Sequence, residues 1–316
     1  MPDQAHTETD YKIKKTKNRL AREYKQAEKE LREKLNVYMK QFEAADKEKA
    51  LLVEEGLLSK KEYIEWRKNK ILYSNTLQAK IDSIAKRIVN VDRQAADIIN
   101  KQLAGIYASN YNFASYTIER GFGINAGFTL VNEETVKKLA KRKPKLLPEK
   151  KIDKKKVFRW NRKKVRNAIM QGILQGEPIM DIAKRLETVL GMEWKTAVRN
   201  ARTAMTAAQN SGRLGSYQNA ESIGIKMQKR WLATLDDRTR ESHQELDGET
   251  VPVNEPFSNK LMYPGDPEGD PSEVYNCRCT MVSELEDYPN KNFERYVNGK
   301  SVGDMTYKEW VQSKQG

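Results

Sequence analysis

The strongest constraint on the fold is a helical repeat of apolar residues in the first hundred positions. From about Tyr11 to Ala45, apolar residues recur every three or four positions, and Lys and Glu fill most positions between them. The members of this row are Leu20, Tyr24, Ala27, Leu31, Leu35, Tyr38, Phe42 and Ala45. An apolar stripe with this period predicts a long amphipathic helix.

A second helix is predicted after a short break. The pattern stops near Glu54-Glu55-Gly56, and Ser59-Lys60-Lys61-Glu62 has the residue types of a capping box. The next apolar row is Tyr63, Trp66, Ile71, Tyr73, Leu77, Ile81, Ile84, Ile88, Val91, Ala95 and Ile98. Two such helices joined by a short turn predict an antiparallel hairpin of the coiled-coil type. Its stripe either packs only within the chain or also provides an assembly surface for a partner.

The middle of the chain alternates between irregular and helical patterns. Glycines between 121 and 127, which follow an aromatic and Asn-rich stretch, predict irregular backbone. The apolar series Val165, Ile169, Ile173 predicts a helix, Pro178 is placed to open another, and an Ala-rich helix is predicted from about Trp194 to Ala220.

The last third is richer in turns. Alternation from 225 to 235 predicts a strand, and turn-forming residues dominate after it until a second predicted strand at 274–282. A short helix is predicted near 306–311. The expected fold class is therefore α+β, mainly α. The expected segments are a helical hairpin for assembly (1–115), a Gly/aromatic connector with a basic linker (116–156), a helical lead-in (157–224), a loop-rich α+β module (225–290) and a tail with a short helix (291–316).

Positive charge is concentrated in one segment. Residues 137–166 contain 16 Lys and Arg against two acidic residues, a surplus equal to the formal net charge of +14 of the whole 316-residue chain. A focused basic segment is typical of polyanion binding, which is salt-sensitive and independent of sequence. A solvated linker is the alternative. The predicted contacts to double-stranded DNA are Lys141, Arg142, Lys143, Lys154, Lys155, Lys156, Arg159, Trp160, Arg162, Lys163, Lys164 and Arg166.

Composition narrows the cellular context. No run of about 18 apolar residues occurs and the first residues are polar, so neither a membrane span nor a Sec-type signal is expected. Two cysteines in 316 residues argue against a disulfide scaffold and fit a reducing compartment. We therefore expect synthesis in the cytoplasm.

Both cysteines lie one residue apart in Asn276-Cys277-Arg278-Cys279, and one of the two histidines, His243, lies in the same module. Tetrahedral zinc accepts thiolate and imidazole, so these three residues are candidate zinc ligands, and Asp237 is the candidate fourth ligand. Asp236, Asp247 or a water are alternatives for that position. Without zinc, the cysteines would be small buried thiols beside a hydrogen-bonded His. A bond between Cys277 and Cys279 would strain the preferred disulfide geometry.

The same module also has residue types of a hydrolase or nuclease. His243 would act as the base, and Asp236, Asp237 and Asp247 would bind a divalent cation. These aspartates are equally typical of turns and salt bridges, and the sequence lacks a nucleophile signature or a phosphate-binding Gly loop. We therefore assign no catalytic residue and do not expect an enzyme.

Several short motifs occur in a defined order in the last third of the chain. They comprise Trp231, Asp236, Arg238, Thr239, Arg240, His243, Asp247, Gly248, Asn276, Cys277, Arg278 and Cys279. With Gly176, Ile182-Ala183 and Arg202-Thr203 upstream, this order resembles the Mu F-like minor head proteins of tailed bacteriophages over about residues 157–285. Some members carry Cys-x-x-Cys where this chain has Arg240-Glu241-Ser242-His243.

The resemblance implies a head morphogenesis protein of the virion. It implies a location inside the capsid near the portal, and partners among the portal, scaffold and major capsid proteins. It also implies contact with packaged DNA and ejection together with that DNA. A structural adaptor without DNA contact is the alternative.

Overall fold

The computed structural model describes residues 4–72, 74–122, 126, 128–175, 177, 179–285, 296–297 and 300–301. The predicted helix at 306–311, Pro178 and most of the predicted irregular segment 121–127 lie outside these residues. The helices are α1 (Gln4–Glu54), α2 (Lys60–Leu72), α3 (Asn75–Phe122), α4 (Glu133–Arg142), α5 (Lys154–Leu174), α6 (Ile179–Ser222), α7 (Glu241–Glu245) and α8 (Pro271–Val274). The strands are β1 (Met227–Leu232), β2 (Thr250–Pro252), β3 (Thr280–Leu285), β4 (Tyr296–Val297) and β5 (Lys300–Ser301).

The chain forms two compact units, each built from segments that are not contiguous. The sheet unit comprises Met1–Lys17, Asp97–Lys150 and Val198–Gly316, and the helical unit comprises Asn18–Ala96 and Lys151–Ala197. Each unit therefore draws on several of the five predicted segments, whose boundaries stay a prediction about sequence organisation.

In the helical unit, α1 and α3 pair in opposite directions. The Tyr24 hydroxyl donates to Asp92 Oδ1 at 2.6 Å, and Arg87 Nε donates to Glu30 Oε2 at 2.7 Å. From the first contact to the second, the residue number rises along α1 and falls along α3. The two helices therefore run antiparallel, which confirms the predicted hairpin. The buried core beneath these contacts contains Leu31, Tyr38, Phe42, Leu77, Ile81, Ile84, Ile88, Val165, Ile169, Ile173, Ile182, Leu186 and Leu190.

The second arm of the hairpin is two helices, whereas one was predicted. The capping box opens α2 as expected, since Ser59 N donates to Glu62 Oε2 at 2.9 Å and Glu62 N donates to Ser59 Oγ at 3.2 Å. However, α2 ends at Leu72, and Ser74 Oγ accepts from Leu77 N at 3.2 Å at the start of α3. Ser74 thus acts as a second cap, which satisfies an amide that has no partner within the helix.

Two helices are longer than predicted, and each of them continues through glycine. Helix α3 continues through the aromatic stretch to Phe122, and α6 runs without a break past Gly191. A glycine inside a helix costs only about 1 kcal/mol, which tertiary packing outweighs. At Gly212 the glycine is required, because a Cβ there would lie 2.4 Å from the Tyr107 backbone oxygen of α3.

The connector contains a helix that was not predicted. Helix α4 begins after Asn132, whose Oδ1 accepts a hydrogen bond from Thr135 N at 2.9 Å. Val136 is the buried residue of this ten-residue helix. One buried apolar position gives no repeat that a sequence pattern could detect.

The sheet unit contains a three-stranded antiparallel sheet in the order β2-β1-β3. Strand β1 lies inside the predicted range, and the predicted second strand begins only at Thr280. The residues before it form α8 and a turn at Asn276, whose φ of 59° is incompatible with a strand. Strand β2, which is three residues long and ends at Pro252, was not predicted. These elements together confirm the α+β, mainly α class.

Lys229 of β1 is a buried cation that the sequence did not indicate. Its Nζ donates to Val253 O at 2.9 Å and to Met262 O at 2.8 Å, and it lies 5.1 Å from the centre of the Phe257 ring. Burial lowers the pKa of Lys229 to about 8 from its ordinary 10.5.

This lowered pKa predicts a specific pH dependence of stability. Below pH 8 the buried charge destabilises the fold, and this penalty disappears as pH rises towards 10.5, because the unfolded chain binds more protons in that window. Between pH 8 and 10 we expect the free energy of unfolding to rise by about 2 kcal/mol relative to Lys229→Met. Urea unfolding of both proteins across this range measures the difference, and parallel pH profiles would contradict it.

Candidate functional site

The two cysteines lie in the connection between α8 and β3. Asp270 Oδ1 caps α8 by accepting from Ser272 N at 2.8 Å, and Cys277 N donates to Val274 O at 3.3 Å just beyond the helix. With Asn276 in the left-handed region, the chain reverses there, so Cys277 and Cys279 occupy a turn and the residue before a strand.

The fold brings His243 of α7 against both cysteines. Its Nδ1 lies 3.8 Å from Cys277 Sγ and 3.4 Å from Cys279 Sγ. The relative exposures of the three residues are 1%, 2% and 2%. The other ring nitrogen, Nε2, lies 3.1 Å from Glu273 Oε2. Glu273 is held in turn by Ser242 Oγ, which donates to it at 3.0 Å.

The two thiols differ in acidity because they share a hydrogen bond. The hydrogen bond from Cys277 holds the pKa of Cys279 well below its ordinary value. The same hydrogen bond to Cys279, together with burial, raises the pKa of Cys277. One thiol of the pair is therefore predisposed to ionise.

Asp237, the predicted fourth ligand, does not join this group. It is exposed, and among the described residues the group of potential metal ligands around His243 contains only Cys277 and Cys279. His243, Cys277 and Cys279 supply one imidazole and two thiols whose donor atoms all lie within 4.8 Å of one another.

The other aspartates of the module make structural contacts. Asp236 accepts two hydrogen bonds from the Arg278 guanidinium, one of them at 2.6 Å, and this lowers the pKa of Asp236 to about 2. Asp247 Oδ1 accepts from Ala233 N at 2.8 Å. The motif aspartates thus hold the loops of the module in place, which does not favour the hydrolase interpretation.

Other motif residues also stabilise these loops. Thr239 Oγ1 donates to Thr234 O at 2.6 Å, and Arg240 donates to Glu273 O at 3.3 Å and to Tyr275 O. Arg238 lies on the surface beside Asp236, and Gly248, with a φ of 86°, forms the turn before β2. Trp231 lies in the core and makes edge-to-face contact with the His243 ring at 5.1 Å.

A basic pocket of about 660 Å³ opens onto the His–Cys–Cys group. His243, Cys277 and Cys279 are part of its lining, and Asp10 is the single carboxylate among its described lining residues. The cations of the lining are Lys14, Lys17, Arg202, Arg238, Arg240 and Arg278. Lys14, Lys17 and Arg202 lie far from the cysteines in sequence, and no local motif indicates that they meet.

The predicted DNA contacts differ in how freely they face solvent. In α5, Lys154, Lys155, Lys156, Arg159 and Lys163 are exposed, and Trp160 is 59% exposed. By contrast, Arg162 forms an ion pair with Asp82, and Lys164 forms one with Glu193 at 3.0 Å. Arg166 is half-buried.

In the sheet unit, Lys141, Arg142 and Lys143 at the end of α4 are exposed. Lys137, in the same helix, forms ion pairs with Glu133 at 2.7 Å and with Glu134 at 3.0 Å. Fewer positive charges are therefore available to a polyanion than the number of Lys and Arg residues in the sequence suggests.

Within the described ranges, no helix combines the length and apolar character that a membrane span requires.

The motif order, the His–Cys–Cys group and the helix before it lie within a segment that resembles a known family. Residues 163–282 match the family described as phage Mu protein F like protein. The chain is similar to the phage Mu F-like minor head proteins over this segment, and the predicted resemblance is confirmed.

Individual relatives share different parts of the chain. The minor head protein GP7 of Bacillus phage SPP1 is 28% identical over 251 residues, which cover 76% of this chain and 80% of that protein. The NAD(+)–arginine ADP-ribosyltransferase EFV of Enterococcus faecalis is 30% identical over 201 residues, or 62% of this chain and 40% of that protein. An uncharacterized protein of Haemophilus influenzae is 29% identical over 153 residues, which cover 48% of this chain and 30% of that protein. No solved structure matches the chain.

Proposed function

We propose that the protein is a minor head protein that associates with the portal inside the capsid and contacts packaged DNA there. The observation that carries this proposal is the Mu F-like match together with similarity to the SPP1 minor head protein across most of both chains. The EFV relative is more than twice as long as the part that this chain matches, so its transferase activity is not transferred here.

The surface of the helical hairpin supports assembly with another head protein. Apolar side chains face solvent around the turn between α1 and α2: Leu51 is 55% exposed, Leu57 73% and Ile64 44%. Exposed apolar residues that cluster in this way are typical of protein contact sites. We assign the partner contact to this end of the hairpin.

The exposed face of α5 supports contact with DNA. Lys156, Arg159, Trp160 and Lys163 recur at intervals of three and four, so they lie on one face of the helix. The opposite face carries the buried Asn161, Val165 and Ile169. A row of exposed cations beside an exposed indole fits a phosphate backbone and carries no base-reading pattern.

Assembly can be tested in virions made by cells that supply variants of this protein. We expect the parent to co-purify with the portal ring and with mature particles. We expect Leu51→Ser/Leu57→Ser/Ile64→Ser to be incorporated about tenfold less, because buried apolar anchors dominate such contacts.

Leu130→Ser is the matched control, since Leu130 is 76% exposed and belongs to the sheet unit. Equal incorporation of the hairpin variant and this control would contradict the assigned contact. Absence of the parent from both portal and particles would contradict the minor head function itself. Loss of the protein from emptied particles after DNA release would support ejection.

A further inference from the structure

The His–Cys–Cys group has the donor set and spacing of a zinc centre. Zinc bound tetrahedrally, at about 2.3 Å from sulfur and about 2.0–2.1 Å from nitrogen, holds these two donor atoms about 3.6 Å apart. The observed separations between His243 Nδ1 and the two sulfurs, 3.4 and 3.8 Å, lie on either side of that value. A ligand set of two thiolates and one imidazole binds zinc in preference to harder cations such as magnesium and calcium.

The orientation of the imidazole fits the same assignment. Because Nε2 faces the Glu273 carboxylate, the ring proton belongs on Nε2 and the lone pair of Nδ1 points to the sulfurs. A carboxylate behind a metal-binding His is the usual support of such ligands. Glu273 is itself fixed by Ser242 and by Asn259 Nδ2, which donates at 3.3 Å. It therefore serves as a support for His243, and the fourth zinc position has no ligand among the described residues.

The fourth position faces the basic pocket, since all three ligands line it. A zinc ion with two thiolates and a neutral imidazole has no net charge, so the surrounding cations favour an anionic fourth ligand. Arg278 is largely neutralised by Asp236, whereas Arg202 has no ion-pair partner among the described residues and is half-buried near the pocket.

We propose that His243, Cys277 and Cys279 bind one zinc ion, and that its fourth ligand is a hydroxide or small anion that enters through the basic pocket. Asp237, the fourth ligand favoured from the sequence, therefore takes no part in this site. A zinc ion with three protein ligands and one exchangeable position is a chemically open centre.

Metal analysis of the full chain, purified without chelator, tests the ligands. We expect about one zinc per chain in the parent and in Asp237→Ala, and less than a tenth of that in Cys277→Ser and Cys279→Ser. Zinc-free parent protein that also fails to take up added zinc or cobalt would overturn the proposal. Loss of zinc in Asp237→Ala would overturn the open fourth position.

Replacing zinc by cobalt in the parent protein tests whether the fourth ligand position is open. This test does not need a cysteine variant, which could fail to fold. Thiolate-to-cobalt absorption in the near ultraviolet, with intense visible bands, is expected for a four-coordinate site. Azide is the probe: its addition should shift the visible bands, and Arg202→Gln should require several-fold more azide for the same shift. In a second titration the pH is raised without azide. A shift of the visible bands in that titration identifies hydroxide as the fourth ligand. Bands that respond to neither azide nor pH would show a closed site and contradict the proposal.

Discussion

Replacing Lys156, Arg159 and Lys163 with Gln is expected to lower the affinity for double-stranded DNA by a factor on the order of 100 or more at about 0.1 M salt. Each of these exposed side chains can neutralise one phosphate and release its counterion. Loss of three such contacts should also reduce the slope of log affinity against log salt by about 2.7. Fluorescence anisotropy with a labelled random-sequence duplex, repeated at several salt concentrations, measures both quantities.

A charge-matched control separates the position of the charges from their number. Lys60, Lys61 and Lys68 of α2 are also exposed, and their replacement by Gln removes the same net charge. We expect this control to keep most of the affinity and the parent salt slope. An equal loss in both triple variants would indicate a general effect of net charge and would remove α5 as the DNA-contacting face.

Trp231→Ala is expected to lower the free energy of unfolding by about 3–5 kcal/mol. Trp231 is fully buried and packs edge to face against Phe257 and His243, with ring centres 5.1 Å apart in both pairs. Truncation to Ala removes the transfer energy of the ring and leaves a cavity between β1 and the loops of the module. Urea unfolding followed by circular dichroism gives the difference directly.

Trp231→Phe is the conservative control. The indole Nε1 has no hydrogen-bond partner among the described residues. Replacement by Phe therefore reduces the side-chain volume but removes no hydrogen bond to them. We expect a loss of about 1–2 kcal/mol, well below that of Ala. If Trp231→Ala and Trp231→Phe lower the free energy of unfolding equally, the stability of the module does not depend on packing around an aromatic ring at position 231.

The helical hairpin could be predicted because its signal is local and repeated. Apolar residues such as Leu31 and Ile84 recur at the helical period, and Ser59 with Glu62 forms the cap that its residue types indicate. The break at Ser74 was missed because the apolar row continues across it. The uninterrupted α6 was predicted as two helices, one opening at Pro178 and one from about Trp194, because their apolar rows were read separately.

The candidate site was predicted only in part. The shared module of His243, Cys277 and Cys279 suggested a zinc site, and the structure brings these three side chains together. Glu273 was not predicted, because a carboxylate supporting a His has no sequence signature of its own. Asp237 was chosen by proximity in sequence, which does not determine where a side chain points in a loop.

The sequence alone determined the helical hairpin, the resemblance to the Mu F-like family and the segment that carries the excess charge, because helical periodicity, motif order and composition are properties of the linear chain. Only the tertiary structure decided which cations are paired and which face solvent. It also decided that Lys14 and Lys17 of α1 and Arg202 of α6 meet around the His–Cys–Cys group. These outcomes depend on packing between segments as far apart in sequence as Lys14 and Cys279, and no local pattern encodes such contacts.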